Sequence, residues 1–99
     1  MNDQEYQRQI GKAKKLIEDK IRNFANSRGI KISEMKWHKE KIPSTNYILM
    51  IKTESKKGEY AFSAERLADF PAESKENSIT AQAVTRYIEV MIKELQETS

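Results

Sequence analysis

The chain has 99 residues, 33% charged and 37% hydrophobic, with 18 basic against 15 acidic side chains and a net charge of +3. This length predicts one small domain over residues 1–99, and the lack of cysteine excludes disulfides, cysteine-based zinc sites and a thiol nucleophile. The longest apolar run, Tyr47–Ile51, falls far short of the ~20 residues of a membrane-spanning helix; no basic-then-apolar leader opens the chain, and the expectation is a cytoplasmic protein with no membrane association.

Residues 3–28 predict a helix. Tyr6, Ile10, Ala13, Ile17, Ile21 and Phe24 recur at spacings of three and four, which places them on one stripe, and Gly29 is the expected stop. At 100° per residue, Arg8, Lys12, Lys15 and Arg22 lie on the opposite face, interrupted by Asp19. Residues 30–39 predict a strand. Its apolar residues change parity between Ile30/Ile32 and Met35/Trp37, so a bulge is expected near Ser33-Glu34.

Residues 40–46 predict a loop around Pro43. Residues 47–53 predict a central strand, apolar on both faces, with helices on one side and room for a partner on the other. Lys56-Lys57-Gly58 is the expected hairpin turn into a short strand, 59–63. Ser63 then caps a short helix that Phe70-Pro71 should end near Asp69, followed by a mobile polar stretch over 72–77. Ser78 or Thr80 caps a last helix to about Glu97, with Val84, Tyr87, Ile88, Met91, Ile92 and Leu95 as its apolar stripe. The expected fold class is α+β: a two-layer sandwich in the order helix, three-stranded antiparallel meander, short helix, long helix, with the two long helices packed on one sheet face.

The charge is unevenly placed. Residues 1–57 hold 14 basic and 7 acidic side chains, net +7, and residues 58–99 hold 4 basic and 8 acidic, net −4. A basic half attracts phosphate or an acidic partner. The contact set predicted on this ground is Arg8, Lys12, Lys15 and Arg22 on the first helix, Lys36, Lys39 and Lys41 at the first hairpin, and Lys56 and Lys57 at the second. Trp37, His38 and Tyr47 stand near the first hairpin, where they offer either base-stacking rings or, for Trp37, a core residue.

Catalytic chemistry has little support. His38 is the only histidine, too few for a histidine metal site. The carboxylates Glu65, Asp69, Glu73 and Glu76 show no sign of the contrasted environments that acid–base pairs need. Gly11, Gly29 and Gly58 are too scattered for a phosphate-binding loop. No catalytic residue, metal, cofactor or small-molecule substrate is therefore expected.

The order of helix, three antiparallel strands and helix is similar to that of the double-stranded-RNA-binding domain over most of the chain. That family opens its final helix with a lysine cluster, where this chain has Ser78-Ile79-Thr80-Ala81-Gln82-Ala83. It carries a Gly-Pro and His pattern between its first two strands, where this chain has Lys41-Ile42-Pro43-Ser44-Thr45. The similarity is one of element order, with the basic charge moved to the first helix and the hairpins. The first functional reading is a non-enzymatic protein-interaction or regulatory module, with a protein partner or self-association. The alternative is a nucleic-acid-associated module that uses the basic face of helix one and the first hairpin.

Overall fold

The computed structural model describes residues 3–39 and 46–96. Its elements are α1 (Asp3–Ser27), β1 (Ile32–Lys39), β2 (Asn46–Thr53), β3 (Lys57–Ser63), α2 (Ala64–Glu76) and α3 (Ile79–Gln96). The three strands form an antiparallel meander in the order β1-β2-β3. The long helices α1 and α3 pack on one face of it, giving the expected α+β sandwich.

The stripe on α1 is the reason for that packing. Ile10, Ala13, Ile17 and Ile21 are all buried, and Ala25 extends the row. Each fully buried isoleucine contributes roughly 1.5–3 kcal/mol over its exposed state. The helix ends where Gly29 takes a left-handed backbone (φ 69°). The Gly29 N–H donates to the Asn26 carbonyl at 3.2 Å and the Ile30 N–H to the Ala25 carbonyl at 2.8 Å, which satisfies two otherwise orphaned acceptors. On α3, Ala81, Val84, Ile88, Met91, Ile92 and Leu95 are buried. Ser78 supplies its cap, with Oγ accepting from the Ala81 N–H at 3.2 Å.

The expected bulge is present: the β1–β2 register shifts between Ile32 and Glu34, and Ser33 Oγ donates to the Lys52 carbonyl at 3.0 Å. Beyond it Met35 and Trp37 face the helices. On β2, Tyr47, Leu49, Ile51 and Thr53 are buried against the helices, while Ile48 and Met50 are half-buried on the other face. An aromatic chain crosses the inner face. Trp37 meets Phe62 at 5.6 Å between centroids, Phe62 meets Tyr87 at 5.3 Å, and Tyr87 meets Tyr60 at 6.3 Å.

Two expectations are corrected. The short helix does not stop at Asp69; it runs through Pro71 to Glu76, so residues 72–76 are helical. Proline inside a helix costs about 3 kcal/mol through the lost N–H and the clash with the preceding turn. Here Leu67, Ala68, Phe70 and Pro71 are all buried, which offsets that cost. Ser63 Oγ accepts from the Arg66 N–H at 3.1 Å at one end. At the other, Asn77 adopts the left-handed conformation (φ 50°, ψ 45°), and its N–H and that of Ser78 reach the Ser74 and Glu73 carbonyls.

The second hairpin turn also lies earlier than expected, at Thr53–Lys56. The Thr53 N–H donates to the Lys56 carbonyl at 2.8 Å, and Thr53 Oγ1 accepts from the Lys56 N–H at 3.1 Å. Lys57 and Gly58 therefore belong to β3. Gly58 is needed for space and not for the turn, because a Cβ there would lie 2.7 Å from ring atoms of Tyr60. The loop expected around Pro43 lies outside the described residues.

Candidate partner-binding site

The continuation of α2 past Pro71 creates a groove between α1 and α2. Leu16, Pro71 and Ala72 form its apolar floor, and Lys12, Lys15 and Lys75 stand around it with Gln9, Asp19 and Ser74. Leu16 is 37% exposed, one of the few large hydrophobic side chains outside the core. It lies on the flank of α1, between the buried stripe and the basic face. Among the described residues, none of the three lysines is in an ion pair. The groove thus offers three free cations above an apolar surface.

The predicted contact residues do not share one surface. Arg8, Lys12 and Lys15 are exposed on α1. Arg22 is exposed too, but pairs with Glu18 at 3.7 Å and Asp19 at 4.0 Å. Lys36 lies on the opposite side of the molecule, on the outer sheet face, paired with Glu34 at 3.2 Å. Lys57 shares that face and pairs with Glu59 at 3.7 Å. Lys56 has a local partner: its Nζ donates to the Glu94 carbonyl at 3.1 Å, in the last turn of α3, where a cation complements the helix dipole. Lys41 and the side chain of Lys39 lie outside the described residues. His38 is exposed on the outer sheet face, beside Ile48.

Trp37 and Tyr47 turn inward. Lys14 Nζ sits 4.4 Å from the Tyr47 ring centroid and 5.7 Å from that of Trp37, within cation–π range. Trp37 Nε1 donates to Glu18 Oε2 at 3.2 Å. Burial lowers the Lys14 pKa, and the Glu18 carboxylate opposes that shift. Lys14 was not among the predicted residues, although its position beside Ile10 and Ile17 on the helical wheel marks it as the lysine nearest the core.

Lys75, Leu16 and Pro71 were also not predicted as site residues. A leucine off the apolar stripe was the one legible signal. Lys75 was not legible, because ending α2 at Asp69 removes it from α1 altogether.

Among the described residues no cluster of three or more His, Asp or Glu side chains is placed to hold a metal ion, and no helix is long and apolar enough to cross a membrane. Set against family models, curated proteins and solved structures, the chain has no significant match to any of them.

Proposed function

We propose that this chain is a small non-enzymatic protein-interaction module whose α1–α2 groove binds an acidic, amphipathic segment of a partner protein. The observation that carries this reading is the meeting of Lys12, Lys15 and Lys75 over the floor of Leu16, Pro71 and Ala72. Unpaired lysines at a rim favour carboxylates, which they meet as charge-assisted hydrogen bonds. An apolar floor favours aliphatic or aromatic side chains, by roughly 25 cal/mol for each Å² removed from water. A segment that alternates acidic and apolar residues at helical spacing satisfies both.

A nucleic-acid duplex would engage the cations and leave the floor unused. The remaining predicted cations also favour the peptide reading, since Lys36 and Lys57 lie on the other layer and Lys56 is tied to α3.

The test is a titration followed by amide chemical shifts, with a synthetic helix of Glu and Leu as one ligand and a short DNA or RNA duplex as the other. The peptide is expected to move Leu16, Ala72 and Lys75, and the K12E/K15E double variant to weaken it at least tenfold. No shift at millimolar peptide, or tighter binding of duplex at the same residues, sinks the reading.

A further inference from the structure

The sheet face turned away from the helices carries a second pattern, unrelated to the groove. The strand register arranges its side chains in rows. Glu34, Lys52 and Lys57 form one row across β1, β2 and β3; Lys36, Met50 and Glu59 form the next; His38, Ile48 and Ala61 form the third. The centre is apolar, with Ile48 and Met50 half-buried and, among the described residues, uncovered by any helix. The two flanks are charged in opposite order: β1 reads Glu34 then Lys36, and β3 reads Lys57 then Glu59 along the same rows.

This order makes the face complementary to itself. A two-fold axis along β2 lays β1 of one copy over β3 of the other without changing the row. Glu34 then faces Lys57 of the second copy and Lys36 faces Glu59, each pair occurring twice, while Ile48 and Met50 meet their own counterparts. Each within-strand ion pair, at 3.2 Å on β1 and 3.7 Å on β3, joins the reversed pair opposite to form a square of alternating charge. His38 falls over the small Ala61. Lys52 is the one cation that meets its own copy. It stands in the last row before the turn, where a long stem carries the ammonium to the rim.

We propose that two copies of this chain associate sheet to sheet through this face, as an aligned four-layer sandwich with the helices outside. Sheets packed this way lie about 10 Å apart with strands within about 30° of parallel, and the contact is isologous, as a two-fold dimer requires. Three strands of about seven residues cover roughly 14 by 24 Å. That is small beside the ~800 Å² per partner of a stable complex, so the dimer is a weak one, which forms at high micromolar concentration.

The experiment is sedimentation equilibrium from about 20 μM to 1 mM at low ionic strength, where charge pairs are least screened. Wild-type mass is expected to rise from 11.5 kDa toward twice that value. The E34K/K36E variant inverts the β1 pair. It conserves net charge and the within-strand ion pair, but sets like charges opposite each other across the interface; it is expected to stay monomeric. Adding K57E/E59K inverts β3 as well and is expected to restore wild-type association. All four side chains are at least 38% exposed, and circular dichroism checks that each variant folds. A wild type that stays monomeric at 1 mM overturns the proposal, as does an E34K/K36E variant that associates like wild type, or a folded quadruple variant that does not recover. Peptide binding in the α1–α2 groove should be the same in every variant, so failure here is separable from failure of the groove reading.

Discussion

The two faces of β2 carry nearly the same residue types and have different fates. On the inner face Leu49 and Ile51 are fully buried under α1 and α3, in a core with Ile17, Ile21, Ile88 and Met91. On the outer face Ile48 and Met50 lie half-covered, Met50 between Lys36 and Glu59 and Ile48 between His38 and Ala61. The inner residues hold the monomer together. The outer ones are more apolar than a solvated sheet face requires, and it is on them that the proposed dimer rests. An apolar side chain therefore says little by itself; what covers it decides whether it serves folding or association.

Substitution should separate the two faces most sharply at their centres. Leu49→Ala is expected to cost about 2–5 kcal/mol, the transfer term plus an unfilled cavity. Met50→Ala is expected to cost the monomer less than about 1 kcal/mol, because its site is already open on one side. Urea unfolding at low protein concentration measures both, and equal losses would erase the distinction between the two faces.

The next largest effect lies at the end of β3. Gly58→Ala sets a methyl group 2.7 Å from the Tyr60 ring, and that ring is held by Tyr87 and by Glu94 Oε2, which accepts from its hydroxyl at 3.4 Å. Overpacking of this kind costs roughly 1–3 kcal/mol. In a Tyr60→Leu background the same substitution should be nearly neutral, and a double-mutant cycle reads the difference.

The smallest effect is a pH dependence confined to the inner face. Burial, with the Glu94 carboxylate behind it, pushes the Tyr60 phenol up to about 12 from an ordinary 10.0. Between those values the unfolded chain releases the proton and the folded chain keeps it. The contribution is therefore whole below pH 10 and lost as pH rises through 12. Tyr60→Phe should flatten this part of the alkaline stability profile. An unchanged slope would show that Tyr60 titrates alike in both states.

Where rules act over a few residues, sequence and structure agree. The stripe of Ile10, Ala13, Ile17 and Ile21 follows from helical spacing, and the bulge at Ser33 from a change of parity that a regular strand does not allow. The caps at Ser63 and Ser78 follow from hydroxyl side chains placed before apolar-periodic segments. The hairpin turn was misplaced because Gly58 reads as a turn residue, whereas the Thr53 hydroxyl closes the turn earlier and Gly58 makes room for a ring.

Element order, the buried stripes and the uneven charge were thus determined by the sequence alone, since each depends on neighbours within about one turn or one strand. Three things were decided by the tertiary structure. Helix α2 survives Pro71 because Phe70 and Leu67 are buried in the shared core. Lys75 joins Lys12 and Lys15 because α2 survives. The opposed charge order of β1 and β3 acquires meaning only when the meander sets them on either side of Ile48 and Met50. Each outcome turns on contact between residues distant in the chain, where burial outweighs local preference.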